Sequence, residues 1–349
     1  MTPLTATEAI SPAVEHAKTL LRPFSLKLWL KLGLVALIAE AGAQFLFPPL
    51  GNHAPASAPS GIGAASGGLT SAMVAVFIVI GVIALLLGLA FFYLSSRLQL
   101  VLMDMVATRT TLVAPVWHRT ASRTWRWIGF KVVTYLAIFL VAGAILVVPL
   151  LYFLRSLPRG NAQPAPAFFG TFVLVFLMVF VVFFVILLAI WSTRDFVLPF
   201  LLFEDQTVGD AVRSAWSLFR REPGSFLFYL FMKFVLCLVA GIVAEFCIAL
   251  YVLVLCLPIG GVAAALWFLL HQSGPFTTAI MYTSFALLGL VFLAAVLGAI
   301  LCISCAVLIF YQAYTLYFLG GRIPVIGNLL QPQRPEPPPF GPPLTPVLS

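Results

Sequence analysis

Residues Phe168 to Trp191 read Phe-Phe-Gly-Thr-Phe-Val-Leu-Val-Phe-Leu-Met-Val-Phe-Val-Val-Phe-Phe-Val-Ile-Leu-Leu-Ala-Ile-Trp, without one charged side chain. An α-helix needs about 20 apolar residues to cross the roughly 30 Å hydrocarbon core of a bilayer. This stretch is long enough, so it predicts a transmembrane helix.

Five more apolar stretches flank this one. Three suit a single crossing: Leu28–Phe47, Ala72–Leu94 and Ile128–Leu154. Two are too long for one perpendicular crossing, so these helices either tilt or extend beyond the bilayer. They run from Phe226 to about Leu257 and from Thr278 to about Tyr314. The predicted fold class is an all-α integral membrane protein with six transmembrane helices.

Two features qualify these spans. Pro258–Gly261 predicts a break after the fifth span, with residues 262–270 forming a short interfacial or re-entrant segment. The first span resembles a signal sequence, with Ala39-Glu40-Ala41 as the cleavage site. About 27 residues precede it, whereas the leading region of a signal peptide is short and basic. We therefore predict a retained span.

Composition supports a membrane protein. Hydrophobic residues make up 62% of the chain and charged residues 9%, against about 25% charged residues in soluble domains. So few charges cannot cover a water-facing surface. The net charge of +8 suits contact with anionic headgroups. Nucleic-acid binding is not predicted, because the basic residues are few and lie beside the apolar stretches.

The basic residues also predict orientation. Cytoplasmic loops of membrane proteins carry an excess of Lys and Arg. Residues 48–71 and 271–277 contain no Lys or Arg, and residues 155–167 contain two Arg. We therefore predict that both termini lie in the cytoplasm, in a protein of a bacterial inner membrane. The basic residues on the predicted cytoplasmic side are Lys18, Arg22, Lys27, Arg97, Arg109, Arg119, Arg123, Arg126, Arg194, Arg213, Arg220 and Arg221.

An amphipathic helix is predicted before the fifth span. Thr207 and Asp210 have the spacing of a capping box, in which two side chains cap the helix N-terminus reciprocally. The residues predicted to share its apolar face are Ala211, Val212, Ala215, Trp216 and Phe219.

The same pattern recurs twice. Ser11 and Pro12 are predicted as the N-cap and first residue of a helix before the first span, and residues 111–116 align more loosely before the third. Each unit is a cytoplasmic amphipathic helix followed by two spans. We predict a domain of residues 1–322 built from repeats of about 8–97, 108–194 and 205–322. Residues 323–349 are predicted to be a disordered, Pro-rich cytoplasmic tail.

Two hypotheses account equally for these amphipathic helices. They lie in the membrane interface, with aromatic residues toward the acyl chains and Arg toward anionic headgroups, or they pack on the protein's own cytoplasmic face. The candidate interfacial contacts are Arg22, Arg123, Arg213, Trp216, Arg220 and Arg221.

Residues Phe196 to Arg220 contain an apolar-Pro-apolar-Glu segment followed by Ala211-x-x-Ser214-Ala-Trp216-x-Leu. This segment resembles the membrane domain of glycerophosphodiester phosphodiesterases and related bacterial membrane proteins. The resemblance implies a fold and a membrane location. The catalytic domain of those enzymes, a soluble barrel with a metal-binding cluster, is not encoded, so no catalytic role is carried over.

Glu40 and Glu245 are acidic residues within predicted spans, where ionisable groups are functional candidates by default. One hypothesis is a paired-carboxylate site for protons or cations. The other, which we favour, places each near the outer boundary, hydrated or hydrogen-bonded. Lys31, Lys131 and Lys233 lie near the inner ends of spans, where snorkelling to the interface accounts for them.

A mixed-charge cluster is predicted just inside the membrane. It contains Arg194, Glu204, Asp205, Asp210 and Arg213. Its predicted role is to fix the ends of spans through ion pairs.

The sequence predicts no enzyme, no cofactor and no metal site, because it contains no nucleotide-binding loop, nucleophile elbow or zinc motif. Cys302 and Cys305 have CxxC spacing but lie within a span, and we interpret them as apolar packing residues. The predicted function is a non-enzymatic membrane scaffold or lipid-interacting protein, with the bilayer, anionic lipid and a membrane-protein partner as ligands. The alternative is a small transporter or lipid-handling channel that uses Glu40 and Glu245.

Overall fold

The computed structural model describes residues 2–22, 25–44, 71–156, 166–270 and 274–331. Within these ranges the chain forms helices and no strand. The helices are α1 (Ile10–Leu21), α2 (Leu26–Gln44), α3 (Ser71–Thr108), α4 (Val113–Arg119), α5 (Ala121–Ser156), α6 (Pro166–Ser192), a π-helical turn (Thr193–Val197), α7 (Leu198–Phe203), α8 (Val208–Arg221), α9 (Pro223–Leu270), α10 (Gly274–Gly320) and α11 (Pro324–Leu330).

Five of these segments are long and apolar enough to cross a membrane, and the chain is an α-helical multi-pass membrane protein. They are Ala75–Thr108, Ala121–Arg155, Phe169–Phe203, Pro223–Leu269 and Phe276–Gly320. The predicted first span corresponds to α2, whose 19 residues include Lys27, Lys31 and Glu40. α2 does not belong to this set, and the predicted end at Phe47 lies beyond the described residues. A sixth span therefore stays a prediction.

The most apolar part of each spanning segment has none of its residues buried inside the protein. Phe139 and Phe268, for example, are 75% and 81% exposed. Exposing so much apolar surface to water would be unfavourable. We call these exposed, apolar parts of the spanning helices the helix arms; their surface suits contact with lipid.

The core lies instead at one end of the bundle. There the last turns of α3 and α10 are almost continuously buried, together with α7 and faces of α1 and α11. We call this end the basal layer: α1, α4, α7, α8, α11 and the adjoining ends of α3, α5, α9 and α10. Aromatic rings fill its centre, with Tyr229 stacked on Phe318 at 4.4 Å and on Tyr314 at 5.2 Å between ring centroids.

Several helices extend further than predicted because they enter the basal layer. The spans predicted to end at Leu94 and Trp191 continue into buried turns of α3 and α7. The predicted break at Pro258–Gly261 is wrong, since α9 is continuous from Pro223 to Leu270 with Pro258 inside it. Proline removes one helical hydrogen bond, and membrane helices tolerate that loss. With 48 residues, α9 is about 72 Å long and must extend beyond a hydrocarbon core of roughly 30 Å.

The two ends of the chain differ from prediction for local reasons. The N-cap predicted at Ser11 is wrong: Ser11 lies inside α1, and the helical path starts earlier. The backbone N–H of Thr5 donates to the Glu8 carboxylate at 2.9 Å, and that of Glu8 donates to Thr5 Oγ1 at 3.3 Å. These bonds make a capping box ahead of α1. At the other end, the tail predicted from residue 323 begins with helix α11, which buries Ile326 and Leu330. Residues 332–349 of that tail lie outside the described residues.

Helix α8 confirms Thr207 as its N-cap, whereas the Asp210 carboxylate accepts from the Thr207 hydroxyl rather than from its backbone N–H. Thr207 Oγ1 accepts a hydrogen bond from the backbone N–H of Asp210 at 3.3 Å. The predicted apolar face divides into two parts. Ala211 and Ala215 are buried, whereas Val212 and Trp216 are exposed. One side of α8 therefore packs on the protein, and the other side presents a tryptophan outward.

Helix α2 packs closely between α3 and α10. A Cβ atom added to Gly33 would lie only 2.3 Å from the backbone oxygen of Leu301. The backbones of α2 and α10 therefore meet at this glycine, as small residues allow in membrane helix pairs.

His16 joins α1 to two other helices of the basal layer. Its Nε2–H donates to the backbone oxygen of Val106 at 2.8 Å, and its Nδ1 lies 3.3 Å from the Tyr317 hydroxyl. Burial lowers the pKa of His16; the hydrogen bond to Val106 opposes this shift, and the Arg109 charge adds to it.

This lowered pKa predicts a loss of stability in mild acid. Unfolded histidine binds a proton below about pH 6.5, but folded His16 resists protonation until a lower pH. The stabilisation is therefore complete above about pH 6.5 and is lost as pH falls through the folded pKa. Thermal unfolding of detergent-solubilised protein from pH 7.5 to 5 should show a fall in melting temperature that is smaller in His16→Gln. His118→Gln, which changes an exposed histidine, should retain the full fall; equal pH profiles for all three proteins would contradict this role.

Candidate functional site

The π-helical turn at Thr193–Val197 organises the polar part of the structure. Arg194 and Asp195 are consecutive, so their side chains leave the helix in different directions. Arg194 forms an ion pair with Glu40 of α2, and Asp195 forms one with Lys233 of α9. π-Helical turns are often found at functional sites. One turn thus holds two helices from distant parts of the chain.

The Asp195–Lys233 pair is buried, with 2% and 6% of the two side chains exposed. The Tyr229 hydroxyl donates to the Asp195 carboxylate at 3.1 Å and lies 2.8 Å from the Thr315 hydroxyl. A buried ion pair is tolerated when its charges are matched and its remaining hydrogen bonds are made. This network links the π-helical turn, α9 and α10.

The Glu40–Arg194 pair is less enclosed, with 23% of the Glu40 and 14% of the Arg194 side chain exposed. Arg194 donates through one terminal nitrogen to the carboxylate. Its Nε is buried and has no hydrogen-bond partner in the part of the chain that the structure describes. The pair therefore leaves one cationic N–H donor unused.

Lys131 is buried at 3% exposure beside this pair. Its ammonium group donates to Gln99 Oε1 at 3.0 Å and to Ser96 Oγ at 3.3 Å. No carboxylate among the described residues lies within ion-pair distance of it. The snorkelling predicted for Lys131 and Lys233 is wrong, because both side chains are enclosed by packed helices near the basal layer. Lys31 is exposed.

Glu40 and Glu245 line one groove between α2, α9 and α10, of about 540 Å³. We call it the polar groove; Arg194, Lys233, Ser304 and Tyr311 also line it. Glu245 is exposed, and among the described residues no basic side chain is within ion-pair distance of its carboxylate. The structure thus brings both predicted carboxylates to the same groove. Among the described residues, Glu40 forms an ion pair, with Arg194, and Glu245 forms none.

A second groove adjoins the first. It has a volume of about 550 Å³ and lies between α1, α2, α9 and α10. Ala240 and Val307 line both grooves, so the two meet there. Most of its wall is apolar, but Lys18 and Arg22 line its α1 side. We call it the basic groove.

Both basic residues of that groove are exposed. Neither has an acidic partner within ion-pair distance among the residues described. Trp29 lies beside them, and its Nε1–H donates to the Leu21 backbone oxygen at 3.2 Å. The basic groove therefore combines two available cations with an apolar wall, the combination that a lipid headgroup and its acyl chain require.

The remaining predicted interfacial residues fall into two groups. Arg123 is used within the protein: its Nε donates to Asp205 at 3.1 Å and its terminal nitrogen to the Leu202 oxygen at 2.8 Å. That hydrogen bond and the charge of Arg123 lower the pKa of the Asp205 carboxyl. Residues of α8 face outward, with the Arg220 guanidinium 5.3 Å from the centre of the Trp216 ring. Arg221 is also exposed.

The predicted mixed-charge cluster forms only in part. Arg213 pairs with Asp210 at 3.5 Å, and Arg123 and Arg126 pair with Asp205. Arg194 does not join them, since it pairs with Glu40 inside the helix bundle. Burial separates these groups: Arg194 points into the protein, whereas the other ion pairs lie at its surface.

Sequence reasoning missed the Asp104–Arg119 ion pair, with the Asp104 side chain 6% exposed, and the polar contacts of His16. Asp104 stands out within an apolar run, which was the available signal, but the sequence does not reveal its partner. In the described ranges, no group of three or more His, Cys, Asp or Glu is arranged to hold a metal ion. Cys302 and Cys305 are free thiols.

Comparison with known protein families gives a match over most of the chain. The model of a family of unknown function, DUF7544, matches residues 4–327. No curated protein and no solved structure matches the chain.

The buried Asp195–Lys233 pair predicts a large loss of stability when one partner is removed. Asp195→Asn leaves a buried ammonium without a carboxylate, which costs about 3–5 kcal/mol and should lower the melting temperature by roughly 10 °C. Asp195→Leu combined with Lys233→Leu should recover part of that loss. Arg213→Gln, which removes an exposed pair, should cost no more than about 1 kcal/mol. Thermal unfolding in detergent measures all four; similar melting temperatures for Asp195→Asn and Arg213→Gln would contradict the assigned role.

Proposed function

The chain belongs to the DUF7544 family of unknown function, and we propose that it is a non-enzymatic, lipid-binding protein of a bacterial inner membrane. Anionic phospholipid is the proposed ligand, and the basic groove is its site. One observation carries this proposal: Lys18 and Arg22, which have no acidic partner among the described residues, stand at the edge of a largely apolar groove between α1, α2, α9 and α10.

The shape and chemistry of the basic groove support a phospholipid rather than a soluble anion. A phosphate group bound by Lys18 and Arg22 would leave its acyl chains against Leu21, Val307 and Phe310. Each basic residue near an anionic lipid surface contributes about 1 kcal/mol. Trp29 at the same place suits the interfacial level of a bilayer, where tryptophan is enriched.

The outward side of α8 supports a second lipid contact. Trp216 is exposed and Arg220 lies over its ring. An apolar ring beside a cation is typical of interfacial helices. Arg221 is exposed on the same helix, and Arg213 is exposed but pairs with Asp210. The intramolecular bonds of Arg123 favour a structural role for it. In this proposal α8 packs on the basal layer and contacts headgroups with its other side.

We also propose six spans, with α2 as the first, and a cytoplasmic basal layer. The basic residues Arg119, Arg123 and Arg126 belong to that end, and so do α1 and α11 near the two termini, which agrees with the positive-inside rule. A fluorescent protein that matures only in the cytoplasm should fluoresce when fused after Ser349.

The order of a short helix before two longer ones, seen in α1–α3, α4–α6 and α8–α10, supports three repeated units. The resemblance of residues 196–220 to a phosphodiesterase membrane domain supports the same location.

The alternative function is a transporter or lipid-handling channel. Its support is the polar groove, which places Glu40 and Glu245 beside the proposed lipid site. A carboxylate pair along such a path could guide a polar headgroup between leaflets. A scaffold that binds another membrane protein through the exposed helix arms is compatible with either function.

Lipid binding can be tested on the purified chain by native mass spectrometry. Wild-type protein should retain phosphatidylglycerol more than phosphatidylcholine of the same acyl length. Lys18→Gln combined with Arg22→Gln should weaken phosphatidylglycerol binding about thirtyfold, because two contributions of about 1 kcal/mol are lost. Lys31→Gln combined with Arg155→Gln removes two exposed basic residues that line neither groove, and it should bind as wild type does. Equal binding of both lipids by the wild-type protein would contradict the proposal.

Lipid transfer in proteoliposomes decides between binding and transport. Dithionite bleaches fluorescent phosphatidylglycerol in the outer leaflet only, so a transporter would expose the inner pool as well. Under the binding proposal, wild-type proteoliposomes and empty liposomes should bleach to the same extent. Wild-type proteoliposomes that bleach to a greater extent than empty liposomes would instead support the alternative, provided that Glu40→Gln combined with Glu245→Gln abolishes the difference.

A further inference from the structure

A small cavity lies behind the Glu40–Arg194 pair, between α2, α3, α5 and the end of α6. Its volume is about 30 Å³, and its wall includes Glu40, Gln99, Trp127, Lys131, Tyr135 and Arg194. About 10–15 Å³ of such space holds one water molecule. The cavity therefore has room for a single monatomic ion or a water molecule, and it is distinct from the basic groove.

Two cationic donors on this wall have unused N–H groups. The Lys131 ammonium has three N–H groups, and its hydrogen bonds within the described chain are to Gln99 and Ser96. Arg194 Nε is buried and has no partner among the described residues. Unsatisfied buried donors are costly, more so when charged. Both side chains line this cavity.

The charges on the wall do not cancel. Lys131 and Arg194 are cations and Glu40 is an anion, so their sum is one positive charge. The neighbouring Asp195 does not supply the balance, since its carboxylate is bound by Lys233 and Tyr229. A net charge enclosed in protein carries a large desolvation cost unless a counter-charge accompanies it.

Three aromatic rings surround the Lys131 ammonium group. The rings of Phe92, Trp127 and Tyr135 have their centres 5.4 to 5.9 Å from Nζ. Aromatic faces attract an ammonium group at such distances and offer nothing comparable to a neutral amine. With Lys131 protonated, the wall keeps one excess positive charge, and a bound anion would balance it.

We propose that this cavity binds one monovalent, monatomic anion of the size of chloride, held by Lys131 and Arg194. The anion would receive the third ammonium N–H and the Arg194 Nε–H, and it would neutralise the wall. It would also tie α5 to the π-helical turn, which Glu40 already ties to α2. This site stands independently of lipid binding in the basic groove.

The test is thermal unfolding of the purified full chain in detergent at pH 7 and constant ionic strength. Replacing gluconate by chloride or bromide should raise the wild-type melting temperature by about 2 °C or more, and the rise should saturate. Lys131→Met should abolish the response, whereas Lys31→Met, which removes an exposed lysine from α2, should retain it. General effects of halide on stability are common to all three proteins and cancel in the comparison. A wild-type protein indifferent to halide, or an unchanged response in Lys131→Met, would overturn the proposal.

A second measurement needs no variant and covers the case in which Lys131→Met does not fold. Equilibrium dialysis of the wild-type protein with radioactive chloride should show saturable binding that approaches one ion per chain. Absence of saturable binding would mean that water occupies the cavity and that Lys131 is neutral, and the site would then be rejected.

Discussion

The ion pair between Asp195 and Lys233 is made where the π-helical turn, α9 and α10 meet, and the surrounding packing depends on it. Removing two charges from water is expensive, and only a matched partner with complete hydrogen bonds offsets that cost. Tyr229 supplies the additional bond and also occupies the centre of the aromatic stack of the basal layer. Polar matching and apolar packing are therefore joined at a single residue. Arg194, the neighbour of Asp195 in the turn, pairs with Glu40 and so adds a polar contact to the packing of α2.

From this centre the molecule divides into two parts with different environments. The basal layer is packed as a soluble protein is, with bulky side chains fully enclosed. The helix arms bury little of their apolar side-chain surface against each other, and lipid rather than water is the environment that suits this surface. Both grooves lie between α2, α9 and α10, near the transition between these parts, where charged and apolar walls are close together. A phospholipid has the same two-part character, which is why this transition is the place for the proposed site.

Features that depend on composition and local spacing could be predicted from the sequence. The apolar runs predicted membrane helices, and Thr207 with Asp210 predicted the start of α8. The ends of the helices could not be predicted, because a buried core and a lipid-facing surface use the same residues. Residues 198–203, for example, are apolar, and such a stretch fits either a buried core or a lipid-facing surface. Pairing was equally out of reach: Glu40 and Arg194 are 154 positions apart, and the side on which each residue of α2 faces is decided by packing. The sequence pattern alone therefore groups Arg194 with the charges just inside the membrane, and it predicts that Lys131 reaches water. In the structure, packed helices enclose both side chains.

The contact at Gly33 restricts how the grooves can change shape. Two helices whose backbones touch at a point cannot slide along each other without a clash, but they can tilt about that point as two rods tilt about a pin. α2 forms one wall of both grooves, and Gly33 lies between Trp29, at the basic groove, and Glu40, at the polar groove. Tilting about this pivot would widen one groove while narrowing the other. A ligand that widens the basic groove would, through this tilt of α2, narrow the polar groove at Glu40.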